Sequence, residues 1–100
     1  MDDNQVVLNV RIEAVPGREN ELERRLAALI GPTRQEPGCI SYELHRSEEN
    51  PGRFMFCETF AGQGALDTHI ASPHFQAFAE YRKENDPVAS VDVTRWTKLR

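Results

Sequence analysis

Hydrophobic residues change period several times along the chain, and the changes mark its elements. Over 5–14, QVVLNVRIEA, Val6, Leu8, Val10 and Ile12 alternate with Val7, Asn9, Arg11 and Glu13. A period of two is that of a β-strand, whose successive side chains point to opposite faces. Val15-Pro16-Gly17 breaks the alternation, and Leu22, Leu26, Leu29 and Ile30 then recur at helical spacing. Glu19 and Glu21 open that helix, where carboxylates complement the positive end of its dipole. Pro32 has no amide hydrogen, so the helix is expected to end or kink near Ile30, with room for one further turn over 33–35.

Glu36-Pro37-Gly38 turns the corner into 39–46, CISYELHR, where Ile40, Tyr42 and Leu44 alternate with Ser41, Glu43 and His45. Turn residues over 47–52, SEENPG, lead to 53–60, RFMFCETF, a strand apolar on both faces for most of its length. The two strands read as a hairpin with a longer loop. A second helix begins near Gly64 and restarts at Ser72-Pro73, a serine N-cap followed by proline at the first helical position. Phe75, Phe78, Ala79 and the stem of Arg82 form its expected buried stripe. A last strand falls within 87–99, with Val91, Val93 and Arg95 on one side.

The order is β-α-β-β-α-β, the split ferredoxin-like unit of the α+β class: an antiparallel sheet with two helices on one face. A chain of 100 residues makes a single domain, 1–100. The other face of the sheet is left bare and carries Val7, Met55 and Cys57. An apolar bare face has to be covered, and a second copy's sheet is the simplest cover, so a homodimer is expected.

Charge and composition narrow the partners. The net charge is -4 and the sequence pI about 5.3, with charges spread along the chain. Neither nucleic acid nor a membrane is therefore an expected partner. No apolar run approaches the roughly 20 residues of a spanning helix, and MDDNQ lacks the basic and apolar regions of a signal peptide. A cytoplasmic location is expected. Cys39 and Cys57 form no metal-ligand pattern and are expected as reduced, buried, inert thiols. No glycine-rich phosphate loop, HExxH motif or metal cluster is legible, so neither metal nor cofactor is expected.

VPGRENELERRL, RQEPGCISYEL, NPGRFMFCETF and ALDTHIASPHFQAF follow one another between Val7 and Trp96, and through them the chain resembles the antibiotic biosynthesis monooxygenase family. The resemblance implies a ferredoxin-like homodimer, a dimeric α/β barrel with small pockets between sheet and helices. The activities it implies include cofactor-independent oxidation of quinols and polycyclic phenols, haem degradation, and isomerisation of a small signalling sugar phosphate. It also points to His69, a place where the family often carries histidine, and to Asn9, since a first-strand asparagine touches substrate in some relatives. The family's E-x-W reads Glu58-Thr59-Phe60 here, a departure that counts against haem degradation.

The residues themselves supply the chemistry. His69 is a candidate base for a phenolic proton, since a free imidazole titrates at about 6.5. Asn9 is a candidate for orienting a substrate oxygen, or else a hydrogen-bonding amide within the sheet or a dimer face. Glu58 shares a strand face with Phe54, Phe56 and Phe60, so it must pair with Arg34, Arg95 or a backbone amide, or else titrate high. Tyr42, Glu58, Phe60, Phe75 and Trp96 are the expected substrate-binding residues. His74 is expected to face solvent or cap its helix, and His45 to lie at a surface or interface. The resulting expectation is a cofactor-independent monooxygenase that oxidises a quinol or phenol with O₂. The alternatives are an isomerase or other enzyme of a small polar metabolite, and a non-catalytic ligand-binding dimer.

Overall fold

Val6–Ala14 forms β1, an inner strand that pairs antiparallel with two neighbours. The computed structural model describes residues 4–100; the first three residues of the MDDNQ segment lie outside the described residues. With β2 (Cys39–Arg46), β3 (Arg53–Phe60) and β4 (Val88–Trp96), β1 builds a four-stranded sheet in the order β2-β3-β1-β4. Between β1 and β2 run α1 (Glu19–Ala27) and α2 (Ile30–Arg34); between β3 and β4 run α3 (Gln63–Ala71) and α4 (Pro73–Asn85). This is the ferredoxin-like α+β fold expected from the sequence, with each expected helix divided in two.

Both divisions have a local cause. Pro32 cannot donate to the carbonyl one turn before it, and the chain tightens there, with the Leu29 amide bonding the Leu26 carbonyl at 3.1 Å. At the second break, the Ser72 hydroxyl donates to the His69 carbonyl at 2.6 Å and accepts from the Phe75 amide at 3.3 Å. One side chain thus ends α3 and caps α4, while Pro73 occupies the first helical position.

Leu22, Leu26 and Leu29 pack against Val6, Ile12, Phe54, Phe56 and Phe60 to make the core. Arg18 and Tyr81 then clasp α1 to the end of α4. Both Arg18 nitrogens meet the Glu21 carboxylate at 2.7–2.8 Å, the Tyr81 hydroxyl donates to the same group, and Arg18 also reaches the Asn85 carbonyl at 3.1 Å. Arg18, and then Tyr81, hold the Glu21 carboxyl down to about 2. Arg25 stacks 3.6 Å from the centre of the Tyr81 ring.

Two expectations are corrected. Cys39 pairs with Phe60 and Ser41 with Thr59, so Ile40 is the extra residue of a β-bulge. Ile40 is consequently 54% exposed on the far side of the sheet, beside Val7 and Trp96, and does not share the face of Tyr42 and Leu44. The second correction is the stripe on α4. None of its residues is buried; Phe75, Phe78, Ala79 and Arg82 are half-buried, because they face a cleft and not a closed core. Val91, Val93 and Arg95 do lie on one face of β4, opposite Ile12, Val10 and Leu8. The opposite face of the sheet carries Val7, Asn9, Met55 and Cys57, all half-buried. Among the described residues, no helix is long and apolar enough to cross a membrane.

The corner before β2 depends on Gly38, whose φ is not left-handed. A β-carbon there meets the Ala65 β-carbon on α3 at 2.3 Å, so only glycine lets corner and helix approach. Gly38→Ala is expected to destabilise the fold by about 1–3 kcal/mol in urea denaturation. Gly64→Ala, a helical position with nothing within 4 Å, is expected to be neutral or slightly stabilising.

Candidate active site

Because α4 stands off the sheet, a cleft of about 790 Å³ remains between them. Leu8, Val10 and Val93 line its sheet side, and Phe75 and Phe78 its helix side. Tyr42, Glu58 and His69 line its buried part, each 6% exposed or less. Lys83, Asp86 and Arg95 line its exposed part. A mostly apolar concavity with a few convergent polar groups is the usual form of a small-molecule site.

His69 falls in the last turn of α3, and its ring is enclosed by Phe60, Phe75 and Tyr42 at centroid distances of 5.0, 5.2 and 5.4 Å. Its Nδ1 lies 3.0 Å from Oε2 of Glu36, just beyond α2, and the same oxygen lies 2.6 Å from Nε2 of His74. A carboxylate can only accept, so each imidazole presents an N–H to Glu36. For a neutral His69 this places the hydrogen on Nδ1 and leaves the Nε2 lone pair as the basic site of a ring that lines the cleft. Among the described residues, Nε2 has no hydrogen-bond partner.

Glu58 is placed opposite Tyr42 in the β2–β3 ladder. None of its anticipated partners reaches it: Arg34 donates to the Tyr42 carbonyl at 3.1 Å, and Arg95 to Gln63 at 2.8 Å. Burial, and secondarily the charge of Glu36, raise the Glu58 carboxyl to about 7. Burial and the neighbouring Glu58 push the Tyr42 phenol far above its ordinary value, so it remains a neutral O–H group. An unpaired carboxyl that titrates near neutrality in an apolar cleft has the properties of a proton carrier.

The structure therefore brings His69, Tyr42, Glu58 and Phe75 together at one cleft. Phe60, wholly buried, supports the His69 ring from behind without lining the cleft. Asn9 and Trp96 lie elsewhere, since strand alternation turns them to the opposite face of the sheet from Leu8 and Arg95. The Asn9 amide approaches Cys57 Sγ at 3.9 Å, and its buried carbonyl oxygen has no partner among the described residues. Trp96 is 58% exposed, its ring N–H donating to Thr94 at 2.9 Å. Within one chain, neither meets a ligand held at His69. His74, expected at a cap or in solvent, is instead bound to Glu36. Glu36 itself was missed: in the sequence it belongs to a turn, 33 residues from His69 and 38 from His74. The half-buried thiols Cys39 and Cys57 are free, and burial pushes the Cys39 thiol up, as suits an unreactive group.

Sheet, divided helices and cleft together define a ferredoxin-like α+β protein with an apolar cleft on its helical side. The chain belongs to the antibiotic biosynthesis monooxygenase family, whose pattern matches residues 5–81. It is 37% identical over 70 residues to the Mycobacterium tuberculosis protein named "Putative monooxygenase Rv0793", covering 70% of this chain and 68% of that one. It is 35% identical over 78 residues to protein sll1783 of Synechocystis, covering 78% of this chain but 53% of that one. The match thus spans about half the length of the Synechocystis relative. Among solved structures, PA3566 of Pseudomonas aeruginosa superposes with a TM-score of 0.93 at 29% identity, over 100% of this chain and 99% of that one.

The placement of Glu58 has a consequence for stability. Its carboxyl is raised in the folded state, so the fold binds a proton more tightly than the unfolded chain does. Stability from this group is therefore full below the ordinary carboxyl range and is lost as pH rises through about 7. Glu58→Gln, which cannot ionise, is expected to be more stable than the parent at pH near 8, by up to about 3 kcal/mol. The gap should close near pH 5, as read from paired urea titrations.

Proposed function

We propose that the protein is a monooxygenase that oxidises a quinol or phenolic ring with O₂, the substrate itself acting as reductant. The observation that carries this reading is the imidazole of His69, held by Glu36 through Nδ1 and lining an apolar cleft with its other nitrogen's edge available. Phe56, Phe75 and Phe78 offer faces to an aromatic ring. His69 takes the phenolic proton, and the resulting anion passes one electron to O₂. Recombination of the substrate radical with superoxide, and proton uptake, place a hydroperoxide on the ring. Loss of water then leaves a quinone: one oxygen atom stays on the ring and the other departs as water, so that phenol plus O₂ becomes quinone plus water. Glu58 is suited to return the proton that water formation needs, and the neutral Tyr42 to border the ring.

A small anionic metabolite, the alternative substrate for an isomerase, is favoured by Lys83, Arg82 and Arg95 at the exposed part of the cleft. Arg82 is already paired with Asp86 at 3.1 Å, however, and the buried part of the cleft is lined by Tyr42 and Phe56. The oxidative reading is the better supported for that reason. The functional unit in this proposal is a homodimer in which a second copy covers the face bearing Val7, Met55 and Cys57; sedimentation at twice the chain mass is the expected result.

Oxygen uptake with a panel of hydroquinones and phenols tests the activity. His69→Ala is expected to lower turnover by about 10²-fold or more, and Glu36→Gln by about tenfold through loss of ring orientation. Undiminished turnover in His69→Ala removes the base from the mechanism. Failure of every substrate, with tight binding of an apolar ligand, points to a non-catalytic binding protein.

A further inference from the structure

Glu36, His69 and His74 come from three separate segments, the turn after α2, the end of α3 and the first turn of α4, yet their ligand atoms all lie within 4.8 Å of one another. His69 Nδ1 and His74 Nε2 converge on a single carboxylate oxygen, at 3.0 and 2.6 Å. The other oxygen, Oε1, is buried with no partner among the described residues, although the Glu36 side chain is only 10% exposed. A trio held together by hydrogen bonds alone leaves Oε1 desolvated and unsatisfied, which is an unfavourable arrangement. A cation between the three side chains accepts both carboxylate oxygens and both imidazole lone pairs at once.

From this geometry we propose that Glu36, His69 and His74 form a binding site for a first-row divalent cation of the zinc type. Two imidazoles and one carboxylate are a donor set that such ions favour over magnesium or calcium, which prefer oxygen ligands throughout. Donor atoms around a tetrahedral zinc stand about 3.3 Å apart, so the two contacts open by less than about 1 Å, while the two imidazole nitrogens, within 4.8 Å of one another, close by up to about 1.5 Å. His74, on the first turn of α4 and 18% exposed, is the ligand whose side chain has the most room to make that adjustment. Three protein ligands leave a further position for water or a ligand.

Binding changes what His69 can do. A neutral imidazole that gives its Nδ1 lone pair to a metal keeps its hydrogen on Nε2, the nitrogen assigned above as the base. The occupied site therefore turns His69 from a proton acceptor into a proton donor, and the cation acts as an inhibitor of the proposed oxidation. That consequence rests on the proposed function; the binding itself does not.

The test is calorimetric titration of the full chain with ZnCl₂ at neutral pH. One ion per chain is expected, and cobalt(II) should produce the intense visible bands of a four- or five-coordinate site. His74→Ala should weaken zinc binding by about tenfold or more, Glu36→Gln by at least as much, and His45→Ala, on the opposite face of the sheet, not at all. Since His69 and Glu36 are enclosed, a variant of either that fails to fold leaves the decision with His74→Ala, with its circular dichroism as the check on folding. Nitrogen NMR of the rings gives a second readout: His69 and His74 shift on adding zinc, and His45 does not. The site is overturned if saturable binding is absent, or if His74→Ala binds zinc as tightly as the parent. Inhibition of oxygen uptake by zinc in the parent, absent in His74→Ala, supports the switch. Zinc binding without inhibition keeps the site and removes its link to His69 as base.

Discussion

The contact between Glu36 and His69 is the interaction on which the cleft depends. An imidazole enclosed by Phe60, Phe75 and Tyr42 is largely shut off from solvent, so its Nδ1–H needs a fixed acceptor from the chain. Glu36 supplies it from the turn after α2 and thereby ties that turn to the end of α3. His74 joins the same carboxylate from the first turn of α4, and the Ser72 hydroxyl, bonded to the His69 carbonyl, holds the break between the two helices. The start of α4 is thus set by polar contacts of 2.6–3.0 Å. The rest of α4 has no buried residue, and the cleft is what remains between it and β1 and β4.

Much of this architecture was legible because alternation and helical spacing are direct projections of backbone geometry. Val6, Leu8, Val10 and Ile12 placed β1, and Ser72-Pro73 placed the start of α4, through forces acting within a few residues. The misreadings have a common origin in contacts distant along the chain. Ile40 continues the alternation of β2 in sequence, but the pairing of Cys39 and Ser41 with successive residues of β3 ejects it to the other face. The stripe of Phe75 and Phe78 shows that α4 has an apolar side, and nothing in its spacing distinguishes a side that meets a core from one that borders a cleft. Glu36 was hidden most completely, since a glutamate before Pro37-Gly38 has an adequate local explanation as a turn residue.

Glu58 shows the tension between stability and a chemically competent site. Its neighbours along the same face, Phe54, Phe56 and Phe60, are what a strand under a helix layer requires, and a fourth aromatic or aliphatic residue there suits the core better. The carboxyl instead lacks a hydrogen-bond partner among the described residues and is raised by its surroundings to about 7. In the proposed reaction such a group would offer the cleft a proton that can be given or taken near neutrality. Asn9, with an orphaned carbonyl on the opposite face, poses the same question there. The faces are separated by the strand's own alternation, so one chain cannot bring both groups to one ligand.

Family membership constrains the fold more closely than the reaction, because related sheets carry different side chains into the same space. Phe60 illustrates how the difference is made. It stands where the resemblance places a tryptophan, and here its ring is fully buried 5.0 Å from that of His69. An indole in this position adds volume to a filled space and an N–H that requires an acceptor, so the ring of His69 or the end of α3 would have to move. Phenylalanine avoids both demands and leaves His69 braced from behind by an apolar surface. The imidazole is then fixed by Glu36 on one side and Phe60 on another, with its remaining edge toward the cleft. The departure from the family pattern is therefore compatible with the proposed base and an aromatic ligand, and it gives this position the role of holding the His69 ring.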